Sequence, residues 1–481
     1  PRTVVADLAQ LFHAASTASL PRHMMRAKVA VLAKRAAPEG IHHTRPITIL
    51  SNLYRIWSSL AAKRLLRAWA PLLPAGLTGG VPGLSARDLA YALEAEVEAH
   101  LAQGIPLTGF SLDLQKYFNN LPARPVLLAM QWLGAPAEIL DFWQSCLRKL
   151  QRQSVFGGCY GISVSMRTGV PEGDPLSVAA AVAVAAVFHR LTESGSCHVR
   201  TYIDNWAWST TVRSENIRIL NTTRSFTDSL RVEIDWTKSY SWATDGPGRK
   251  RWASTIADLV PEGAAPRLAS TVQELGVTNR FHRQVHYGSI RDRITAGHSR
   301  LSRLSRLRRP PQNKALLIQS AVWPATFYGT EALALSRQEV HGLRTSASRA
   351  LFGTTRATCP YLALHAIGPG LWDPEVYLLV NSLRTLRRAF SQAPAMAEGI
   401  LHLVCRAPMS SRDLTGPAAA LRALLSRNCW TAHADGTLRG PGHHSIHLRT
   451  SSAREIAHQV NEAWAHAVHK QMEHRNGLAD C

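Results

Sequence analysis

Two short runs, each alternating in strand fashion and each carrying a carboxylate at or near its end, constrain this chain more than anything else in it. GFSLDL, Gly109 to Leu114, reads as a strand ending at Asp113. HVRTYIDNWAWSTT, His198 to Thr211, reads as a hairpin with Asp204-Asn205 at its tip. Val199, Tyr202, Ile203, Trp206 and Trp208 suit strands, and Asp and Asn tolerate the positive φ of a tight turn. Adjacent in one sheet, the two aspartates could hold two Mg²⁺ ions roughly 3.5–4 Å apart, the spacing used for in-line phosphoryl displacement. Hard cations that keep waters and phosphates as ligands need only one or two protein carboxylates each. The pattern permits nucleotidyl transfer without requiring it.

Charge names the class of partner. Lys plus Arg number 55 against 33 Asp plus Glu, a formal +22 with a sequence pI near 10.4. Such a field favours a polyanion, nucleic acid before membrane, because Lys and Arg release counterions from phosphates. At 481 residues, about three domains or subdomains are expected. The seven cysteines contain no C-x-x-C, which excludes a disulfide framework and a strong zinc signature and fits a reducing, intracellular compartment. The apolar run Val178 to Phe188 is too short and Ala-rich to span a bilayer, and no secretory leader is evident, so no membrane partner is expected. A start at Pro1 rather than Met leads us to expect a piece of a longer product, part of a polyprotein.

Along the chain, Met24 to Lys34 alternates into a strand, Arg35 to Gly40 makes a turn, and a second strand opens at Thr44. Asn52 to Trp69 reads as a helix with Leu53, Ile56, Leu60 and Leu65 on its apolar face. GLTGGVPG, residues 76 to 83, lacks the G-K-[ST] ending of a phosphate-cradling loop and reads as a flexible connection. Ala86 to Leu101 is an amphipathic helix, Leu121 to Leu150 is helical with a break near Gly134 and Pro136, and GVPEGDPLS at 169 to 177 is a loop leading into an Ala-rich helix. Arg213 to Leu230 is helical, Val232 to Trp242 strand-like, and Thr271 to Val277 a short strand. From Arg280 to Arg309 nine arginines face the single acid Asp292. Arg300, Arg303 and Arg306 recur beside Leu301, Leu304 and Leu307, two helical rows that would turn leucines to a core and arginines outward to nucleic acid. Ala315 to Ala350 gives two further helices, and beyond residue 356 the chain is helix-rich and His-rich.

The ordered motifs resemble a reverse transcriptase, specifically those of non-LTR retrotransposons and their group II intron relatives, over about residues 24 to 350. AKVAVLAK followed by TRPITILSNLYRIW resembles the fingers segment; FSLDLQKYFNNLP resembles the first palm motif, an Asp with an aromatic five positions on. GVPEGDPLS is similar to the family's G-x-P-Q-G-D-P-L-S loop and YIDN to its Y-x-D-D hairpin. EIDWTKSYSW resembles the Lys-bearing motif, ELGV the primer-grip turn, and SAVWPATFYGTE a thumb helix junction. Each motif alone is weak; seven in the family's order are a specific signal. The resemblance implies an α+β right-hand polymerase: fingers over 1–110, a palm of antiparallel sheet plus helices over 111–280, a helical thumb over 281–355, and a helical extension over 356–481.

It also implies roles. Asp113, Leu114 and Asp204 are the metal-holding positions, for two Mg²⁺ ions or Mn²⁺. Lys34 and Arg45 would contact the incoming triphosphate, where basic strands folded over the site would offset phosphate charge. Glu172 and Gly173 belong to the substrate loop, Phe118 is the steric gate that crowds a ribose 2′-OH, and Lys238 is a general acid near the pyrophosphate. The implied partners are an RNA template, a DNA primer or target, and dNTPs, in a nuclear or ribonucleoprotein-associated setting. Two positions depart from the family. Glu172 replaces Gln, adding negative charge near the triphosphate, and Asn205 replaces a second Asp, whose amide can coordinate a hard cation but brings no charge.

Two other readings compete. A catalytically weakened, maturase-like scaffold that binds RNA is favoured by Asn205, and an RNA-dependent RNA polymerase is opposed by Phe118. Cys429, His433, His443 and His444 do not have the spacing of a zinc finger and read as a solvated surface, and HADG at 433 to 436 leaves too few residues for an RNase H fold.

Overall fold

The computed structural model describes residues 20–33, 44–260, 266–283, 288–353, 359–368, 370–406 and 416–476, together with 6, 7, 9, 10, 12 and 13. It divides into two compact units: Pro1–Ala86, Thr108–Ser241 and Arg251–Leu268 form the first, and Arg87–Leu107, Trp242–Lys250 and Ala269–Cys481 the second.

In chain order the strands of the first unit are β1 (Arg26–Ala33), β2 (Thr44–Ile49), β3 (Thr108–Asp113), β4 (Gln151–Phe156), β5 (Cys159–Ser165), β6 (Cys197–Tyr202) and β7 (Asn205–Thr210). The unit boundaries fall within β8 (Tyr240–Ala243) and β9 (Arg267–Ala269). Four strands make a sheet in the order β2-β1-β4-β5, with β1 antiparallel to β2 and parallel to β4. The other five make a sheet in the order β6-β7-β3-β8-β9, in which β7 runs antiparallel to both β3 and β6. Its register sets Asp113 opposite Asn205 and Phe110 opposite Trp208, whose rings stack at 5.1 Å. That aromatic pair, with Leu112, Ile219, Leu220, Trp252 and Ile256, is the core under the strands that carry the carboxylates.

The helix Asn52–Trp69 forms over the expected residues but turns a different face inward. Ile56 and Leu60 are 44% and 58% exposed, whereas Tyr54, Ser58, Ala61, Ala62, Leu65, Leu66 and Trp69 are buried. Polar chemistry accounts for the rotation: the Tyr54 and Ser58 hydroxyls both donate to the buried carboxylate of Asp174. Asp174 also accepts from the Leu176 N–H, capping the helix Pro175–Thr192, and Pro175 occupies that helix's first turn. The Ala-rich run thus grows into an 18-residue helix long and apolar enough to cross a membrane. Here it is core, with every residue from Ala179 to Ala186 buried.

Residues 76 to 83, expected to be a flexible connection, are instead docked on β6. Thr201 donates its N–H to the Gly76 carbonyl and accepts at its own carbonyl from the N–H groups of Thr78 and Gly79, while Leu77 is 1% exposed. A Cβ on Gly79 would collide with the backbone of Tyr202 and Ile203, so glycine allows contact here rather than freedom. The expected strand from Val232 is also shorter, β8 beginning only at Tyr240. Lys238 and Ser239 both donate backbone N–H groups to the Asp235 carbonyl, a turn that interrupts pairing after the isolated bridge of Leu114 with Ile234.

The second unit is mainly helical, with Ala86–Gln103, Gly288–Ser305, Arg337–Phe352, Pro374–Gln392, Pro394–Cys405, Pro417–Arg427 and Ala453–Asn476 around a Leu- and Trp-rich core. Thr271 to Val277 is not one strand but a hairpin of β10 (Thr271–Glu274) and β11 (Val277–Arg280). Leu275 and Gly276 both take positive φ between them, as a two-residue hairpin turn favours. The expected helical extension also contains an antiparallel sheet of β12 (Thr431–Ala432), β13 (Thr437–Arg439) and β14 (Ser445–His447). HADG is its first turn, where the Asp435 carboxylate accepts the Thr437 N–H. Two sets of buried charges here are paired, Arg280 with Glu94 at 3.1 Å, and Arg344 with Asp373 at 2.6 Å and Glu375 at 2.9 Å.

Candidate active site

The hairpin between β6 and β7 is closed by Ile203 and Asp204. Positive φ falls on Ile203, at 55°, and not on the aspartate or asparagine that the sequence favoured for it. A β-branched residue in this conformation is strained and persists only where its surroundings hold it. The holding contacts are the Gly79 backbone beneath it, the Trp206 Nε1–H donated to the Ile203 carbonyl at 3.0 Å, and the Thr201 hydroxyl paired with His189 at 3.0 Å. Burial lowers the His189 pKa to about 4, so the ring stays neutral under the turn.

Asp204 is tied to the end of β3, because Leu114 donates its N–H to the Asp204 carbonyl at 2.9 Å. The two carboxylates therefore share one corner of the sheet. Burial, and then the like charge of Asp113, push the Asp204 pKa above 3.8, against its own backbone N–H, Arg45 and Lys238. Leu114 has its side chain in the core, so any metal contact from it would be through its backbone. Asn205, directly opposite Asp113, donates its amide to the Ser111 hydroxyl at 3.0 Å.

Lys238 completes the corner. Its Nζ lies 3.1 Å from Asp113 Oδ1 and 2.5 Å from Asp235 Oδ2. Desolvation pulls the ammonium pKa down, but hydrogen bonds to Asp235 and Asp113 outweigh it and raise the value. Asp235 was missed in the sequence, although its place three residues before Lys238 is the spacing of a local ion pair. Burial alone would raise its pKa, yet the hydrogen bonds from Lys238 and Thr237 hold it below the usual carboxylate range. Tyr117 was missed too: it is 2% exposed, and its hydroxyl has no hydrogen-bond partner among the described residues.

Three substrate positions gather at the loop before Pro175. Arg45 Nε lies 3.5 Å from Glu172 Oε1, Thr48 donates its N–H to the Glu172 carbonyl at 2.7 Å, and Gly173 follows with φ of 115°. Phe118, half-buried, is joined to the same loop because its carbonyl accepts the Val170 N–H at 2.7 Å. Lys34 and the turn at 35–40 lie outside the described residues. Arg300, Arg303 and Arg306 belong to the second unit. Leu301 and Leu304 are buried as expected, but the helix ends at Ser305, which leaves Arg306 and the 47% exposed Leu307 off it. Arg308, Arg309 and Pro310 follow at once, crowding like charge and a helix breaker onto that end.

Among the described residues, no group of three or more His, Cys, Asp or Glu could hold a metal ion, the cluster at Cys429 to His444 included. Two repelling carboxylates with a lysine ammonium as counter-cation do fit a hard cation that takes its other ligands from phosphate and water. A carboxylate pair at the corner of an antiparallel sheet, with a lysine ammonium beside it, is an arrangement that suits nucleotidyl transfer by bound divalent cations.

The chain belongs to the reverse transcriptase (RNA-dependent DNA polymerase) family, whose model matches residues 34–278. No curated protein sequence matches it. Solved structures similar to it include telomerase from Candida tropicalis in complex with a TWJ fragment of telomeric RNA, at 10% identity over 78% of this chain and 63% of that one, with a TM-score of 0.43. The apo telomerase of the same yeast matches at 10% identity over 84% and 65%, with a TM-score of 0.41. Telomerase from Candida albicans with the TWJ fragment matches at 11% identity over 79% and 66%, with a TM-score of 0.39. The chain thus spans less than two thirds of the length of these telomerases, and only 52% of a C-terminally truncated one.

Proposed function

We propose that this chain is the polymerase of a non-LTR retrotransposon, part of a longer polyprotein, that copies an RNA template into DNA by adding dNTPs to a primer 3′-OH. The observation that carries the reading is the pairing of β3 with β7, which brings Asp113 and Asp204 to one corner with Lys238 beside them. In this reading residues 1–110 serve as fingers, 111–280 as palm, 281–355 as thumb, and 356–481 as an extension. The three arginines 300, 303 and 306 line the nucleic acid.

Asp113, Asp204 and the backbone of Leu114 would hold two divalent cations, Mg²⁺ with Mn²⁺ as substitute. Bound there, the cations would activate the primer hydroxyl and offset charge on the departing pyrophosphate. The chain's own residues do the rest. Arg45 orients the triphosphate, Phe118 crowds a 2′-OH out of the sugar pocket, and Lys238, kept protonated by its two carboxylates, has a proton to give the pyrophosphate oxygen.

Primer extension on an RNA template, with dNTPs or rNTPs in Mg²⁺ and then Mn²⁺, tests this. DNA synthesis lost in Asp113→Ala is expected; synthesis that survives that change overturns the mechanism. A second reading, an RNA-binding scaffold without turnover, is favoured by Asn205, whose amide brings no charge to the corner. RNA binding without extension in either metal would establish it.

A further inference from the structure

A cavity of 420 Å³ in the second unit is lined by Arg337, Gln338, His341, Arg344, Glu375 and Arg427. Pockets of that size are mostly apolar, with a few polar groups to orient the ligand. Here no lining side chain is purely hydrocarbon. Five of the six can donate hydrogen bonds, and only Glu375 is restricted to accepting them when ionised. A wall of donors selects anionic groups, and guanidinium forks match the paired oxygens of a phosphate.

Arg337, His341 and Arg344 follow at i, i+4 and i+7 on the helix Arg337–Phe352 and so share a face. Arg427 closes the helix Pro417–Arg427 and is tied through Nη2 to the Leu335 carbonyl at 2.5 Å. Among the described residues, the side chains of Arg337, Gln338 and His341 have no hydrogen-bond or ion-pair partner, and all three are exposed. Arg344 differs from them. Its side chain is only 10% exposed, its Nε and Nη2 are taken by Asp373 and Glu375, and its flat face lies over the Tyr361 ring at 5.1 Å. Its Nη1 has no acceptor among the described residues. An arginine buried to this degree rarely keeps a nitrogen unserved, and an anion entering the cavity that Arg344 lines would serve it.

Three guanidiniums against the carboxylates of Asp373 and Glu375 leave the site net positive before any charge on His341. We propose that this cavity is a phosphate-binding site: Arg337 and Arg427 supply charge, Nη1 of Arg344 a donor held rigid by two carboxylates, and Gln338 and His341 bonds to the remaining oxygens. The ligand is the phosphate group itself, carried by a nucleic-acid strand or by a free diphosphate, as the chain's formal +22 favours. The site stands on the second unit alone, whether or not the carboxylate corner of the first unit polymerises.

The test is equilibrium binding of inorganic diphosphate to the full chain in chelator, beside a short single-stranded RNA titrated at several salt concentrations. Arg337→Ala should weaken diphosphate binding roughly 10-fold, the loss expected for a charge-assisted hydrogen bond. Gln338→Glu, which sets a second carboxylate in the cavity, should weaken it as well. Arg349→Ala removes the same charge from the same helix outside the cavity, and screening should keep its effect below about 2-fold. None of these three side chains has a partner among the described residues, so loss of fold does not confound the comparison. If Arg337→Ala also lowers the slope of log K against log salt for RNA by about 0.7 more than Arg349→Ala does, the phosphate belongs to a strand. If RNA binding changes alike in the two variants while diphosphate is lost only in Arg337→Ala, the phosphate is free. Both results uphold the site. Equal losses of diphosphate binding in Arg337→Ala and Arg349→Ala, or none in Arg337→Ala and Gln338→Glu, overturn it.

Discussion

Asp174 and Asp204 are both withdrawn from water in the first unit, and burial is the first cause that raises the pKa of each above 3.8. Their surroundings differ. Asp174 accepts from Tyr54, Ser58, Trp143 and the Leu176 backbone N–H, so nearly every lone pair is served and three helices meet on one carboxylate. Asp204 faces the like charge of Asp113. A buried carboxylate with a full set of donors is a structural joint; one set beside a second carboxylate is poised for a cation. The contrast matters because the two aspartates sit in neighbouring family motifs and look equally functional as letters.

The sharpest way to break the contrast is to remove the joint. Asp174→Ala would leave two hydroxyls and an indole N–H without their acceptor and uncap the helix Pro175–Thr192, costing about 3–5 kcal/mol of stability. Denaturant unfolding measures it, and a loss under about 1 kcal/mol would show that water replaces the carboxylate. Asp113→Ala should do the opposite. Polymerase activity should fall by more than about 100-fold, while the melting temperature in chelator holds or rises because a like charge beside Asp204 is gone.

A smaller effect sharpens the polymerase side. Asn205→Asp places a third carboxylate opposite Asp113, so Mg²⁺ or Mn²⁺, followed by calorimetric titration, should bind about 10-fold more tightly. The metal-free protein should lose some stability from the added repulsion. No change in affinity would mean that position 205 lies outside the metal's reach.

The smallest expected effect is on pH dependence. A carboxyl whose pKa is raised in the folded chain holds its proton where the unfolded chain has lost it. The stabilisation this gives Asp204 is fully present below the unfolded value near 3.8 and is lost as pH rises through the folded value. In chelator, lowering the pH from about 7 towards 4 should therefore stabilise the wild type relative to Asp204→Asn. Metal should offset that difference at neutral pH and compete with the proton in acid. Equal pH slopes for the two proteins would show that Asp204 is not perturbed.

Much of this was legible in the residues themselves. Period-two alternation and the carboxylate at the end of GFSLDL placed Asp113, the Asp-Asn pair placed the hairpin, and alanine-rich composition marked the helix after the loop at 169 to 177, although that helix begins at Pro175, inside the stretch expected to be loop. Such signals are local: propensity, caps and turn chemistry act within a few residues. The misreadings came where a distant partner decides. Glycines at 76 and 79 look flexible as letters, and only β6 lying against them turns them into contact surface. The helix Asn52–Trp69 rotated towards Asp174, a residue more than a hundred positions away, and β8 was shortened by a turn that delivers Lys238 to Asp113.

The sequence by itself determined the family, the order of the motifs and the identities of the two aspartates, because those depend on residue type and short-range periodicity. Tertiary structure alone decided that Ile203 rather than Asp204 or Asn205 bears the positive φ, and that Lys238 reaches Asp113. Each of these depends on which strands pair and in what register. Register is set by packing summed over a whole sheet, which no single stretch of residues contains.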